Sequence, residues 1–360
     1  MSGQPLYFGF NFLWMFSAPI KGASGGLLPS SEALSPRDVR IDEAELDFIA
    51  QMGCNFARLP LDYRFWVRDF RYGEPDERML ERVDDCVRAV TSRGLHCSLN
   101  LHRAPGYCIN GAELEKHNLW LDTEAQDAFA AMWAHFAERY SSVPAELLSF
   151  DLLNEPPNIG QYGMTRDNHE SIMRRTAAGI RALSPDRPIT LDGLGGGNIA
   201  MPELADLGVT MSTRGYQPMP LTHYRASWCA DVQGLPMPVY PGTEWEGKRW
   251  GREDLLAHYE PWKALSDAGV PVHVGEFGVY SKIPNDLALR WFADILSVFC
   301  KLGWGWSLWN FRGDFGIASH GRPGARIETV RGVEVDRDMY ELFTEYMKST
   351  MQKHKSKENI

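Results

Sequence analysis

Short apolar runs alternate with longer amphipathic segments along the whole 360-residue chain, and no other feature limits the fold as much. The runs are Tyr7–Phe12, Phe56–Pro60, His96–Leu101, Leu147–Leu153, Ile189–Asp192, Met211–Gln217, Val272–Glu276 and Trp304–Trp309. Between and after them, helical patterning is predicted at Val39–Gln51, Glu77–Arg93, Thr123–Tyr140, Asn168–Leu183, Met201–Leu207, Glu253–Ala268, Asp286–Leu302 and Arg337–Lys353. Strands that alternate with helices read as βα units around a parallel sheet. Eight such units without a linker predict one closed (β/α)8 barrel over residues 1–347, followed by a polar tail at 348–360.

In such a barrel the segments that follow strand C-termini form the functional face. Two of them are long. Ser17–Arg37 is rich in Gly, Ser and Pro, and the stretch from Pro218 to Gly251 carries Trp228, Tyr240, Trp245 and Trp250. Two carboxylates stand where buried runs meet their loops: Glu155 in Asn154-Glu155-Pro156 after the fourth run, and Glu276 at the end of the seventh. Both can project into one mouth. Hydrolysis of a glycosidic bond needs such a pair, one acid to protonate the leaving oxygen and one carboxylate to attack the anomeric carbon. The plainer reading, two helix N-caps, fits less well because Glu is a poor cap.

Alternation along a strand puts Ser98, Asn100 and His102 on one face and Leu99 and Leu101 on the other. The same parity turns Arg58 inward with Phe56, where a guanidinium near Glu276 would favour its ionised form. His273, on the opposite parity, reads as a packed side chain.

The residues Gly9-Phe-Asn11, Arg58-Leu-Pro60, Leu101-His102, Asn118-Leu-Trp120 with Phe136 and Tyr140, Asn154-Glu155-Pro156, Gly275-Glu276-Phe-Gly278 and Trp306-Ser-Leu-Trp309 run the length of the chain. In them the sequence resembles glycoside hydrolase family 5, a group of retaining (β/α)8 glycosidases. The resemblance implies Glu155 as acid/base and Glu276 as nucleophile, with Asn154 on the sugar 2-hydroxyl and Arg58 and His102 lining the same subsite. It implies Tyr216 bonded to the nucleophile and Trp309 under the reacting sugar. One position departs from it. The family usually carries His-x-Tyr after the sixth strand, whereas this chain has Arg214-Gly215-Tyr216. A fixed positive charge near Glu155 would weaken that acid, so Arg214 either turns away or binds a hydroxyl-rich or anionic group. His223, in the following loop, could supply the missing imidazole or be structural.

Aromatic residues make up 12% of the chain and include 12 tryptophans. Trp133, Trp262 and Trp291 fall in helical segments and read as core. Trp14, Trp120, Trp228, Trp245, Trp250 and Trp309 fall at strand ends or in loops, where sugar rings could stack on them, with Tyr107 a further candidate. The expected ligand is an oligosaccharide or polysaccharide of β-glucan type. β-Mannan, xylan, small glycosides cleaved from an end, and a barrel that binds glycans without cleaving them are the alternatives.

Lys and Arg total 37 against 47 Asp and Glu, a net charge of −10 that argues against a nucleic-acid partner. The six scattered cysteines show no Cys-x-x-Cys pair, so no disulfide framework or zinc knuckle is expected. No cofactor is implied. A metal-dependent barrel hydrolase finds no His-x-His or His-x-x-x-His to support it. Gly22–Gly26 matches a nucleophile-elbow pattern without the helix that should follow it, and Gly193–Asn198 lacks the third glycine of a dinucleotide loop. The first residues show no leader pattern, and no run approaches the ~18 apolar residues of a membrane span, so a cytoplasmic, non-membrane protein is expected.

Overall fold

A computed structural model of the chain describes residues 6–16, 39–112 and 115–358. The Gly22–Gly26 motif and the whole Ser17–Arg37 segment lie outside the described residues. Among the described residues twelve strands occur in chain order: β1 Phe8–Asn11, β2 Phe56–Asp62, β3 His96–Arg103, β4 Leu148–Asp151, β5 Ile189–Asp192, β6 Thr210–Gly215, β7 Thr243–Trp245, β8 Lys248–Trp250, β9 Val272–Phe277, β10 Gly305–Leu308, β11 Ile327–Val330 and β12 Val333–Asp336. Eight of them close into a barrel in the order β1-β10-β9-β6-β5-β4-β3-β2. The (β/α)8 barrel predicted from the eight apolar runs is therefore the fold. Two antiparallel hairpins, β7–β8 and β11–β12, are additions to it.

Barrel strands are covered by helices outside and by one another inside, so both faces are apolar. Accordingly every residue of β1, β2, β3, β4, β9 and β10 is buried. Trp133, Trp262 and Trp291 are fully buried, in line with their place in the sequence pattern. His273 is also packed, with its ring 5.0 Å from that of Phe56 and Nε2 3.3 Å from Ser307 Oγ.

By contact the chain divides into two compact units. The first comprises Met1–Phe12, Ala44–Phe56 and Thr213–Ile360. Within it β1 and β10 pair in parallel, as do β10 and β9. Gly9 passes so close to strand β2 that a Cβ there would lie 1.8 Å from the Phe56 carbonyl oxygen, so only glycine fits. Asn11 Nδ2 donates to the carbonyls of Gly275 (3.1 Å) and Leu308 (3.2 Å), fixing three strand ends together directly before Glu276. The second unit comprises Leu13–Glu43 and Ala57–Ser212, with β3, β4, β5 and the start of β6 in parallel register. The helix Thr123–Arg139 locks onto the end of β4 through Trp133 Nε1, which donates to Leu152 O at 3.0 Å.

Three predicted elements differ in form. Met201–Leu207 is a 3-10 helix from Pro202 to Leu207. Glu253–Ala268 is two helices, Arg252–His258 and Glu260–Asp267, because Pro261 lacks the N–H that a continuous helix would require and instead sits in a first turn. The last helix continues from Arg337 to Glu358, so most of the expected tail is helical.

Candidate active site

Around Glu155, the second unit builds a buried ionic network. Arg58 at the middle of β2 directs Nε to Asp151 Oδ2 (2.7 Å) and Nη2 to Asn154 Oδ1 (3.0 Å) and Asp192 Oδ2 (3.4 Å). Arg58 and Asp151 are 1% exposed and Asp192 2%. Each charge has left water, so each depends on its partners, and two carboxylates share one guanidinium. Asn154, fully buried, has its amide oriented from two sides: Oδ1 accepts from Arg58, and Nδ2 lies 3.5 Å from His102 Nε2. On β3, Ser98, Asn100 and His102 are buried, as are Leu99 and Leu101 between them, and Asn100 Nδ2 donates to Asp151 O at 3.2 Å. Glu155 is half-buried and follows immediately.

Around Glu276, the first unit builds a different environment. Glu276 is 3% exposed, with Arg214 Nη2 3.3 Å from Oε1 and the Tyr216 hydroxyl donating to Oε2 at 2.9 Å. A positive charge and a hydroxyl donor thus converge on one carboxylate. Arg214 Nη1 donates to Thr213 O on its own strand at 3.3 Å, and the Arg214 carbonyl accepts from Tyr259 Oη at 2.9 Å. The sequence raised Arg214 as a threat to Glu155; the structure brings its guanidinium to Glu276.

His223 stacks edge-on against Tyr216 at 5.0 Å, and its Nδ1 lies 3.0 Å from Thr222 Oγ1. Burial pushes its pKa down to about 4, which keeps it neutral near pH 7. Thr222 Oγ1 also donates to the Tyr216 carbonyl. Beyond them Phe315 contacts the rings of Tyr216, His223, Tyr280 and Trp228 at 5.4–6.3 Å. Trp309, the residue after β10, is half-buried, and its N–H donates to Phe277 O at 2.9 Å.

The tryptophans divide differently from their sequence positions. Trp228 is 53% exposed, and Trp14, Trp245 and Trp309 are half-buried. Trp120 and Trp250 are only 2% exposed, so neither offers a face to a sugar: they are packing residues. Tyr107 is also fully buried; rather than facing ligand, its hydroxyl donates to the Glu155 carbonyl at 2.7 Å. Asp151 and Asp192 are site residues that the sequence does not single out, and Asn11 enters it only within Gly9-Phe-Asn11, without a role. The signal was there for the two aspartates, since a carboxylate inside an apolar run requires a cation, and Arg58 was already turned inward. Among the described residues no three His, Cys, Asp or Glu side chains converge as metal ligands, and all six cysteines are free.

Known proteins resemble the chain over most of its length. The family model for cellulase, glycosyl hydrolase family 5, matches residues 28–314. Endoglucanase C of Acetivibrio thermocellus is 26% identical over 336 residues, covering 85% of this chain and 95% of that protein. Cellodextrinase A of Ruminococcus flavefaciens is 26% identical over 293 residues, covering 79% and 83%. A solved glycoside hydrolase superposes with a TM-score of 0.87 at 52% identity, over 95% of this chain and 99% of that one. With a closed eight-stranded barrel and a family match across most of its residues, this chain belongs to glycosyl hydrolase family 5, the cellulase family, and is a glycoside hydrolase.

Proposed function

We propose that the protein cleaves β-linked glucan oligo- or polysaccharide with retention of configuration, using Glu276 as nucleophile and Glu155 as acid/base. The observation that carries this reading is the unequal treatment of the two glutamates. Glu276 is buried against a guanidinium and a phenol hydroxyl, the surroundings of a carboxylate that must attack as an anion. Glu155 is more open to solvent, which suits a group that exchanges a proton first with the leaving oxygen and then with water.

In the first step Glu276 Oε bonds to the anomeric carbon as the glycosidic C–O bond breaks, and the Glu155 proton goes to the departing oxygen. In the second, Glu155 takes a proton from water, whose oxygen displaces Glu276 from the anomeric carbon. Two inversions give net retention. Asn154 and His102, held beside each other, face the sugar 2-hydroxyl, and Trp309 supplies an aromatic floor. The endoglucanase and cellodextrinase relatives support a β-glucan over β-mannan or xylan.

The product anomer followed by NMR immediately after cleavage tests the stereochemistry: the β-anomer is expected first, and an initial α-anomer from a β-linked substrate rules out the scheme. With azide present, Glu276→Ala is expected to yield the α-glycosyl azide. A panel of β-glucan, β-mannan and xylan oligosaccharides tests the sugar, with glucan expected to be turned over fastest.

A further inference from the structure

Glu155 has φ +47°, a left-handed backbone unusual for a side chain of its size. The residue after it is Pro156, whose ring pushes the preceding residue toward extended conformations. A backbone disfavoured twice persists where its surroundings over-determine it, and such positions cluster at working sites.

Four hydrogen bonds from three separate elements surround this peptide. The Glu155 N–H donates to Asp192 Oδ2 at the end of β5 (3.1 Å), and the Glu155 carbonyl accepts from the Tyr107 hydroxyl after β3 (2.7 Å). The next two carbonyls, Pro156 O and Pro157 O, accept from the N–H groups of Gly196 and Gly195, each at 3.0 Å. Both glycines are themselves left-handed (φ +65° and +61°), and a Cβ on Gly195 would lie 2.8 Å from Asn158 Oδ1. The glycine run Gly193–Asn198, which resembled an incomplete dinucleotide loop, is therefore a cradle for the segment that follows Glu155. The anchors are firm. Tyr107 is fully buried with its ring 5.2 Å from that of buried Trp120, and Asp192 is held by Arg58.

From this geometry we infer that Tyr107, Asp192 and the Gly195–Gly196 turn are positioning residues for Glu155, fixing the peptide from which the acid/base side chain departs. The inference rests on Glu155 being the acid/base. A proton donor must meet the leaving oxygen within a fraction of an ångström, and a main chain pinned at N–H, carbonyl and the next two residues sets that direction before substrate binds.

The test separates proton donation from general integrity. Two aryl β-glycosides of the sugar that the wild type cleaves are compared, one with a 2,4-dinitrophenyl leaving group that departs without protonation and one with phenyl, which needs it. Tyr107→Phe removes one hydrogen bond without changing ring volume, and Gly196→Ala strains the cradle where space is open. Both are expected to lower kcat/KM for the phenyl glycoside by about tenfold or more while leaving the dinitrophenyl glycoside within about threefold. Asp192→Asn, which retains an acceptor oxygen, is expected to keep more phenyl glycosidase activity than Asp192→Ala. Equal losses on both substrates, or none on either, overturn the inference, and if Tyr107→Phe does not fold, Gly196→Ala decides alone. Glu155→Ala is the control. If it shows no dependence on the leaving group, the acid/base assignment fails and this inference with it; if it does and the cradle variants do not, only the inference fails.

Discussion

Arg214 is the residue at which this chain parts most clearly from the pattern it resembles, and its position explains how the change is tolerated. A guanidinium cannot lose its proton as imidazole does, so it belongs beside a group that stays anionic through much of the reaction. Its contact with Glu276 meets that condition. Arg214→Met is expected to lower kcat/KM by roughly tenfold or more on both aryl glycosides alike, because the nucleophile serves every leaving group. A loss confined to the phenyl glycoside would instead assign Arg214 to proton donation. Much of this site was legible from single residues: the Asn-Glu-Pro and Gly-Glu-Phe-Gly stretches fall at strand ends by pattern alone. The partners were not. Sequence parity turned Arg58 inward but could not say that Asp151 and Asp192 would meet it, since residues 93 and 134 positions apart are brought together only by the closed sheet.

At the scale of elements, strands were read well because burial on both faces makes them continuous apolar runs, while helix form was read less well. Helices on the outside of a barrel carry only one apolar stripe, and a proline such as Pro261 can sit within that stripe and still divide it. The strands also carry the tightest steric limits. Gly9→Ala would place a methyl group against the Phe56 carbonyl, and a clash with main chain cannot be relieved by a rotamer change. A loss of about 3 kcal/mol or more is expected, read as a lowered urea midpoint, and an unchanged midpoint would show that β1 can move away from β2. Trp120 and Trp250 teach a related lesson. Loop position suggested ligand contact, yet a long loop needs apolar anchors of its own, and a buried indole holds a connection to the barrel as well as a helix does.

For the molecule as a whole, acid stability follows from its buried histidines. Desolvation lowers the pKa of His96, His223 and His258 to about 4 and that of His169 to about 3, against an ordinary value near 6.5. In each case folding favours the neutral ring. Stability from this source is full above pH 6.5 and is lost as pH falls toward the folded values, while the unfolded chain gains protons that the folded chain refuses. Up to four extra protons on the unfolded state give a slope of about 5 kcal/mol per pH unit at its steepest. Urea unfolding between pH 7 and 5 should show this decline, and His169→Gln should reduce it by about one proton in four; an unaltered slope would mean that His169 is not held neutral. The aromatic surplus also has a spectroscopic consequence. Among the described residues Trp228 alone of the tryptophans is exposed, while Trp309 is half-buried and the core indoles are sealed from solvent. A collisional quencher such as iodide should therefore extinguish a small, red-shifted share of the intrinsic fluorescence that Trp228→Phe abolishes. Because Trp228 joins Tyr216 through His223 and Phe315, shielding of that emission by a saccharide offers a label-free optical report of occupancy without turnover.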